Sequence, residues 1–345
     1  MPNFHYFCIM KKICILLGVA LVATAVWAQQ REFWLGADIS GTSSMERFGV
    51  KLYNNAGEER DNITLMSELG LNAARFRVWV NPMYGDCDMH DVLAMAKRAQ
   101  DQGMAIMINF HYSDWWADPG KQNIPARWRH YNYEAMKRAL AIHTTETLQL
   151  LKDNGVDVKW VQIGNETTNG FLWPMGHTPD NMKQYAGLTE AGYKAAKKVF
   201  PKVICIVHLD AACDLERYHT IFNGLKRYKA HWDMIGVSVY PYWDMEAGYT
   251  KSEDETLERA ISNINTLSKE YGCPVMIVET GYEAKRAEEG KAFMARLIEA
   301  AKNQTNGQCP GIFYWAPEAE GFYPLGAFKD HRPTAIMDAF RSGER

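Results

Sequence analysis

The feature that most constrains the fold is a regular alternation of short apolar strand patterns with longer helical patterns along most of the chain. Roughly eight strand–helix units follow one another about forty residues apart, with no linker or low-complexity gap between them. Alternation of this kind requires a parallel sheet, because each helix returns the chain to the same edge. Eight units favour closure into a (β/α)8 TIM barrel over an open sheet. The absence of a glycine-rich dinucleotide motif after the first strand also disfavours the open sheet.

The same patterns give the expected order of elements. Strands are predicted from β-branched and aromatic runs bounded by turn residues, and helices from 3.6-residue apolar spacing. The predicted strands begin at Phe33, Ala73, Ala105, Trp160, Val203, Met234, Pro274 and Gly311. The helices with predicted bounds are Ile63–Leu69, Val92–Gln100, Tyr133–Lys152, Tyr185–Val199, Leu257–Tyr271, Ala292–Ala301 and Pro333–Phe340, and one more helix precedes Met234.

The N-terminus has the features of an export signal. Lys11 and Lys12 precede an apolar run, and small residues surround a cleavage point after Ala28. The run is too short and too early for a convincing membrane span. We therefore expect residues 1–28 to be a signal peptide and residues 29–345 to form one catalytic barrel domain. The mature protein is expected to reach the periplasm, the cell surface or the medium.

The composition excludes some classes of function. A chain of 345 residues with a formal net charge of −3 and a pI of about 6.4 lacks the basic balance of nucleic-acid-binding proteins. The 11 tryptophans and 17 tyrosines exceed what core packing explains, because several fall in polar loops. Stacking on sugar rings is the stronger interpretation of those aromatic residues. A monomer without nucleic-acid partners is expected.

The cysteines suggest one disulfide. Of the 7 cysteines, Cys8 and Cys14 lie in the expected signal peptide, and the others show neither a disulfide framework nor zinc-ligand spacing. Cys273 and Cys309 each precede a proline at the entry of consecutive strands. Neighbouring strands lie about 4.8 Å apart, close to the Cα separation that a disulfide accepts. In an exported protein we expect these two cysteines to pair.

Chemically active side chains recur at the carboxyl ends of the predicted strands, which in a parallel barrel all face the active site. Each one alone has a structural alternative, such as an ion pair, a satisfied core histidine or a packed tryptophan. Their recurrence at the same end of successive strands favours a functional site. The residues are Asp38, Arg75 or Arg77, His111, Asn165, Glu166, His208, Asp210, Tyr240, Glu279 and Trp315.

Two of these residues are glutamates that end strands of the same design. Glu166 ends the run Trp-Val-Gln-Ile-Gly-Asn-Glu, and Glu279 ends Pro-Val-Met-Ile-Val-Glu. Most glycoside hydrolases need a pair of carboxyl groups. In a retaining enzyme one is the acid/base and the other is the nucleophile. An asparagine suits a sugar hydroxyl, and a tryptophan suits the face of a pyranose ring.

Two loops supply further candidate sugar contacts. The longest loop after a strand carries acids, amides and adjacent tryptophans, which are poor core material: Asp114, Trp116, Asp118, Lys121 and Gln122. A second loop behind Glu166 contains Phe171 and Trp173, for which an apolar clamp of the barrel top is the structural alternative. We predict that the first loop forms a wall of the sugar-binding site and that Trp173 contributes from the second.

Metal and serine-hydrolase chemistry have little support. His111, His208 and the acids have no HExxH-type or DxDxD-type spacing, so no metal or other cofactor is expected. No G-x-S-x-G nucleophile elbow occurs in the chain.

These residues together resemble the endo-β-1,4-galactanases of glycoside hydrolase family 53, which belong to a large clan of (β/α)8 retaining glycosidases. The resemblance spans nearly the whole mature chain, and the run from His-Tyr-Ser-Asp to Asp-Pro-Gly-Lys-Gln is highly specific. The matching segments are residues 36–40, 75–82, 110–122, 161–166, 169–174, 208–210, 236–243, 278–282 and 311–315.

The resemblance implies roles for individual residues. Glu166 would be the acid/base and Glu279 the nucleophile of a double displacement on β-1,4-galactan, the side chain of pectin. Asn165 would bind the 2-hydroxyl of the cleaved sugar, and Tyr240 would orient Glu279. Trp315 would form the floor of the subsite that holds this sugar. The remaining expected substrate-binding and supporting residues are Asp38, Arg77, His111, Asp114, Trp116, Asp118, Lys121, Gln122, Trp173, His208 and Asp210.

The chain departs from the family pattern at three places. Asn109 stands where the family often has aspartate, and Ala316 follows Trp315 where glutamate is common. After Tyr282 the chain enters a charged helical segment almost at once, where some members carry a long calcium-binding loop that extends the galactan cleft. Neither that metal nor the family's usual product lengths follow from the resemblance for this chain.

Two other functions compete with a galactanase. Another β-1,4-glycanase of the same clan, such as a mannanase or a cellulase, would use the same catalytic strands, and the loop from Asp114 to Gln122 argues against it. A non-catalytic sugar-binding barrel is a different class, in which loss of a glutamate is expected. Both Glu166 and Glu279 are present, which disfavours that class.

Overall fold

The computed structural model describes residues 32–321 and 323–341, and from Trp34 onward the chain forms one unit. The expected signal peptide, residues 1–28, lies outside the described residues. Within the described ranges, no helix has the length and apolar character needed to cross a membrane.

Eight parallel strands form a closed barrel, as the alternating pattern predicted. Each strand pairs with the strands before and after it in the chain, and the first pairs with the last. The strands are β1 (Trp34–Asp38), β2 (Ala73–Val78), β3 (Ala105–Phe110), β4 (Val158–Ile163), β5 (Ile204–Leu209), β6 (Met234–Val239), β7 (Val275–Thr280) and β8 (Gly311–Trp315).

A helix follows each barrel strand, and most of these helices begin at a polar cap. The side chains of Asp61, Asp88, Asn132, Asp214 and Ser252 each accept a hydrogen bond from a backbone N–H of the first helical turn. The helices are α1 (Asn62–Glu68), α2 (Met89–Asp101), α3 (Tyr133–Asp153), α4 (Thr178–Val199), α5 (Leu215–Arg227), α6 (Glu253–Tyr271), α7 (Ala287–Asn303) and α8 (Asp338–Arg341). Two shorter helices, Thr42–Arg47 and Pro241–Glu246, lie at the carboxyl ends of β1 and β6.

Each predicted helix overlaps an observed one, but α6 and α7 begin four and five residues before their predicted starts, and two other places differ more. Helix α4 begins at Thr178, earlier than the apolar spacing indicated, because Pro179 starts a first turn that Asn181 then interrupts with a non-helical backbone. The predicted helix Pro333–Phe340 is wrong for its first two residues, since Arg332–Pro333 pairs with Phe328–Lys329 as a short antiparallel ribbon, and a 3-10 turn at Ala335–Met337 then leads into α8.

Side chains from successive strands fill the barrel interior. Trp160 and Phe313 lie at its centre with ring centroids 6.1 Å apart, and Trp34 meets Trp160 edge-on at 5.3 Å. Trp160 and Phe313 are at most 1% exposed and pack with methionines from other strands, including Met107. The interior is therefore a packed core, and the cleft opens only above it, where the carboxyl ends of the strands emerge.

The expected disulfide between Cys273 and Cys309 is a wrong prediction, because both cysteines are free. The backbone N–H of Val275 donates to the carbonyl of Gln308 at 2.9 Å, so Cys309 lies level with strand β7 whereas Cys273 precedes it. The Cys309 thiol is buried and lies 3.5 Å from the carbonyl oxygen of Gly311. Adjacent strands are close, but a stagger along the strand axis separates the two thiols.

Gly36 in β1 leaves space for the central phenylalanine. A Cβ atom at this position would lie 2.3 Å from the ring of Phe313, which is fully buried. We expect Gly36→Ala to lower the free energy of unfolding by about 1–3 kcal/mol, as overpacking of a close-packed core does. Gly120→Ala is the control, because its Cβ would have an ordinary 3.5 Å contact. Urea unfolding of both variants tests this, and equal stabilities would contradict it.

Candidate active site

A cleft of about 500 Å³ lies at the carboxyl ends of the barrel strands. Of the residues predicted from sequence, ten lie on its surface: His111, Trp116, Asp118, Lys121, Asn165, Glu166, Asp210, Tyr240, Glu279 and Trp315. Six others lie outside its lining: Asp38, Arg77, Asp114, Gln122, Trp173 and His208.

Glu166 follows strand β4 in a left-handed backbone conformation, with φ of 45°. Its backbone N–H donates to Nδ1 of His208 at 3.3 Å, and its side-chain Oε1 accepts a hydrogen bond from Ser238 at 2.7 Å. Burial raises the pKa of Glu166 well above its usual range, and the nearby charges of Glu279 and Asp210 raise it further. The environment of Glu166 therefore favours its protonated form.

Glu279 lies in strand β7 and is 4% exposed. Its Oε1 forms an ion pair with Nη2 of Arg75 at 2.7 Å, and its Oε2 accepts a hydrogen bond from the Tyr240 hydroxyl at 3.1 Å. Burial raises the pKa of Glu279, whereas Arg75 and the Tyr240 hydroxyl lower it. Arg75 acts on Glu279 through an ion pair and on Glu166 only as a more weakly felt charge.

Arg75 connects four polar residues under the cleft and is completely buried. Besides Glu279, its guanidinium pairs with Asp38 at 2.8 Å and donates to Asn165 Oδ1 at 2.8 Å and Gln162 Oε1 at 3.2 Å. The sequence left Arg75 and Arg77 as alternatives at this strand end and named Arg77 as a supporting residue. Arg75 is the arginine that contacts both a candidate catalytic carboxylate and its neighbouring amide.

Arg77 instead supports the aromatic wall of the cleft. Its guanidinium carbon lies 3.8 Å from the centroid of the Trp116 ring and 4.8 Å from that of Trp79. Trp116 in turn packs against Trp315 with centroids 5.6 Å apart, and Trp315 meets Tyr323 edge-on at 4.6 Å. A flat cation on one face of Trp116 fixes the ring by cation–π attraction.

His111 and Asn165 present hydrogen-bond donors toward the cleft. Nδ1 of His111 accepts the backbone N–H of Ala117 at 3.1 Å, so the ring hydrogen lies on Nε2. Burial and the nearby arginines hold the pKa of His111 well below its usual range, and the ring is neutral. The Asn165 amide nitrogen donates to the Ala117 carbonyl at 2.9 Å, which leaves its second hydrogen available.

The supporting residues hold the long loop and the end of β4. The Asp114 carboxylate accepts the backbone N–H of Ala126 at 2.7 Å, which ties the two sides of the loop. Gln122 is 1% exposed, and its amide nitrogen donates to the carbonyl of Asn165 at 2.8 Å. Trp173 donates to the carbonyl of Asn169 at 2.8 Å within its own loop. Part of the long loop therefore lines the cleft, and its role in sugar binding stays a prediction.

Several cleft residues were not predicted from sequence. Ser238 lies in β6 two residues before Tyr240, and this period-2 spacing was a usable signal that both share a face. Trp243, Asp244 and Tyr249 come from the short helix after β6 and the turn that follows it. Tyr323 comes from the loop after β8 and has no local sequence signal.

A metal site is not evident in the part of the chain that the structure describes. Within residues 32–321 and 323–341, no group of three or more His, Cys, Asp or Glu side chains is arranged to hold a metal ion. The cleft is instead a pair of carboxyl groups surrounded by amides, hydroxyls and aromatic rings.

The comparisons with known proteins agree with this arrangement. Residues 34–324 match the profile of glycosyl hydrolase family 53. The chain belongs to this family. An endo-β-1,4-galactanase from Bacillus subtilis is 29% identical over 92% of this chain and 76% of its own length. An arabinogalactan endo-β-1,4-galactanase from Aspergillus niger is 30% identical over 82% of this chain and 84% of its own length.

Solved structures of family 53 show the same fold. A fungal β-1,4-galactanase superposes with a TM-score of 0.80 and 26% identity over 90% of this chain and 99% of its own. The catalytic domain of a family 53 protein from Ignisphaera aggregans has the same TM-score and 28% identity over 91% of this chain and 97% of its own. The family 53 member described here is thus a glycoside hydrolase with the (β/α)8 barrel of its relatives.

Glu318 follows β8 and lies near Asp38 and Arg77, and its carboxyl group is expected to make stability depend on pH. It is 5% exposed, and burial raises its pKa from 4.5 to about 8. A folded-state pKa above the unfolded value means that unfolding releases the proton between about pH 4.5 and pH 8. The free energy of unfolding therefore falls as pH rises through that window and levels off above it.

We expect Glu318→Gln, which stays neutral, to lose this dependence. Relative to the unmodified protein, the variant should gain stability from pH 5 to pH 9, by at most about 5 kcal/mol. Thermal unfolding at several pH values measures the difference. Glu299→Gln on the exposed face of α7 is the control and should show no such trend. A constant difference between Glu318→Gln and the unmodified protein at all pH values would contradict the assignment.

Proposed function

We propose that this protein is an endo-acting, retaining glycoside hydrolase that cleaves β-1,4-galactosidic bonds in the galactan or arabinogalactan side chains of pectin. The observation that carries the proposal is a pair of carboxyl groups at the ends of β4 and β7 in unlike environments. Glu279 forms an ion pair with a buried arginine, whereas the side chain of Glu166 accepts a hydrogen bond from the neutral Ser238 and lies near the like charges of Glu279 and Asp210. Near neutral pH this favours one proton on Glu166 and a negative charge on Glu279.

These protonation states suit a double displacement. The Glu279 carboxylate attacks the anomeric carbon as the glycosidic C–O bond breaks, and Glu166 gives its proton to the leaving oxygen. Glu166, now a carboxylate, takes a proton from water as that water attacks the same carbon. The bond to Glu279 breaks, and Glu166 regains its proton. Two inversions leave the β configuration, and this route requires the two carboxyl groups to lie about 5–5.5 Å apart.

The surrounding residues support sugar recognition. The Nε2–H of His111 and the free amide hydrogen of Asn165 are donors for sugar hydroxyls, and Asn165 borders Glu166. Trp116 and Trp315 offer aromatic surface at the other side of the cleft, suited to the apolar face of a pyranose. Glu279 Oε1 pairs with Arg75 and Oε2 accepts a hydrogen bond from Tyr240, so the carboxylate is held in one orientation at the cleft.

The choice of galactan rests on relatives and on one loop. The relatives from Bacillus subtilis and Aspergillus niger are named endo-β-1,4-galactanases, and the loop from Asp114 to Gln122 forms part of the cleft wall in this chain. We further propose that residues 1–28 direct export and that the mature protein acts as a monomer on polysaccharide outside the cytoplasm.

The substrate is tested by comparing polysaccharides. We expect the mature protein to release oligosaccharides from potato galactan and to leave mannan and carboxymethylcellulose intact. Proton NMR during the first minutes should show the β anomer of the new reducing end, as retention requires. Faster hydrolysis of mannan or cellulose, or an α anomer formed first, would contradict the proposal.

The two glutamates are distinguished by substitution. We expect Glu279→Gln to abolish turnover on all substrates and to leave galactan binding largely intact. Glu166→Ala should lower the rate on galactan by about 10²–10⁴-fold, the usual value of acid/base catalysis. It should lower the rate far less on an activated aryl galactoside, because a phenolate leaves with little protonation.

Azide identifies which glutamate is which. Without the Glu166 base, azide should attack the galactosyl–Glu279 intermediate, displace the carboxylate and give a β-galactosyl azide. Glu299→Gln, exposed on α7, serves as the control for folding and assay. If azide instead rescues Glu279→Ala with an inverted α product and fails to rescue Glu166→Ala, the roles are exchanged.

A further inference from the structure

Three buried polar side chains stand behind Glu166 and do not belong to the mechanism above. His208 at the end of β5 and Gln162 in β4 are completely buried, and Ser238 in β6 is 1% exposed. Gln162 Nε2 lies 2.8 Å from His208 Nδ1, His208 Nε2 lies 2.8 Å from Ser238 Oγ, and Ser238 Oγ lies 2.7 Å from Glu166 Oε1. Each distance is that of a good hydrogen bond.

The donor and acceptor at each hydrogen bond in this series follow from the protonation of His208. The backbone N–H of Glu166 donates to His208 Nδ1 at 3.3 Å, and a backbone amide can only donate. Nδ1 is therefore an acceptor and carries no hydrogen. Burial, with Arg75 and His111 nearby, holds the pKa of His208 well below its usual range, so the ring is neutral. The single ring hydrogen must lie on Nε2.

The directions of the remaining hydrogen bonds follow from the position of that hydrogen. His208 Nε2–H donates to Ser238 Oγ, so the hydroxyl accepts there and turns its own hydrogen elsewhere. The other oxygen within reach is Glu166 Oε1, which therefore accepts. The sequence of bonds starts at the backbone of Glu166 and returns to the side chain of the same residue.

We propose that Ser238, held by His208, is a positioning residue that keeps Glu166 Oε1 as a hydrogen-bond acceptor and so assigns the transferable proton to Oε2. The inference rests on the proposed acid/base role of Glu166. In the first step Oε2 gives its proton to the leaving oxygen, and in the second step Oε2 takes a proton from water. Ser238 donates throughout and never transfers its hydrogen.

The same contact tunes the charge of Glu166. A hydroxyl that donates to a carboxylate stabilises the charged form, and this opposes the rise that burial and Glu279 impose on the Glu166 pKa. Without the Ser238 hydroxyl, Glu166 should remain protonated to higher pH and should be a less available base after the first step. The second step, which needs the carboxylate, should then become slower than the first on substrates with good leaving groups.

The test compares Ser238→Ala with Ser238→Thr, which keeps the hydroxyl. We expect the alkaline limb of the pH profile of kcat/KM for galactan to move up by roughly 1–2 pH units in Ser238→Ala, the size of a lost charge-assisted hydrogen bond. On an activated aryl galactoside, kcat should fall about tenfold or more, and KM should fall with it because the glycosyl–enzyme accumulates. Ser238→Thr should restore the alkaline limb, kcat and KM toward those of the unmodified protein.

A matched control separates the effect of the Ser238 hydroxyl on Glu166 from the general effect of losing a buried serine hydroxyl. Ser268 is also buried and donates to Gln308 at 3.0 Å, and neither residue lines the cleft. Ser268→Ala therefore loses a similar hydrogen bond without touching the site. It should leave the pH profile and the KM unchanged. An unshifted alkaline limb in folded Ser238→Ala, or an equal shift in Ser268→Ala, would overturn the inference.

A second measurement needs no substitution at Ser238. In the unmodified protein, the ¹⁵N chemical shifts of His208 should report a neutral ring with the hydrogen on Nε2 from pH 5 to pH 8. A hydrogen on Nδ1, or titration of His208 in that range, would overturn the inference even if Ser238→Ala fails to fold. If the unmodified protein cleaves none of the polysaccharides, the proposed function fails instead. If it cleaves galactan and azide rescues Glu166→Ala, only the role of Ser238 is in question.

Discussion

The buried guanidinium of Arg75 is the interaction on which the rest of the site depends. It lies between two carboxylates, Asp38 at 2.8 Å and Glu279 at 2.7 Å, with no exposure to solvent. An unpaired charge at this depth is strongly destabilising, so the three groups are stable only together. Because Asp38, Arg75 and Glu279 come from β1, β2 and β7, their pairing joins strands on both sides of the barrel closure.

The Arg75 cation also makes the environments that set the pKa values of Glu166 and Glu279 unequal. Burial raises the pKa of both, Arg75 offsets this mainly at Glu279, with which it forms an ion pair, and the charge of Glu279 adds to the rise at Glu166. In the proposed double displacement, Glu279 loses its charge when it bonds to the sugar, and the pKa of Glu166 should then fall as a base requires. The roles proposed for the two glutamates thus follow largely from the position of Arg75, which forms its ion pair with Glu279.

The sequence allowed the barrel and most of the cleft to be predicted, because both depend on local periodicity. Strand ends in a parallel barrel share one face, so the strand pattern alone was enough to bring Glu166, Glu279 and Tyr240 together. Contacts set by register or by long loops were not predictable. Arg75 and Arg77 share a strand face and differ only in depth, and the stagger that separates Cys273 from Cys309 has no local signal. The contact between the Gln122 amide and the Asn165 carbonyl joins residues 43 positions apart.

The left-handed backbone at Glu166 explains why two adjacent residues both serve the cleft. In a regular strand Asn165 and Glu166 would point to opposite faces, and only one of them could face the sugar. Gly164, with φ of 85°, and Glu166, with φ of 45°, end the regular strand geometry, and both Asn165 and Glu166 line the cleft. A left-handed non-glycine residue costs roughly 1–2 kcal/mol. The hydrogen bonds from the Glu166 N–H to His208 and from Gln122 to the Asn165 carbonyl hold it there, so the residues behind the cleft maintain the conformation that brings both side chains to the substrate.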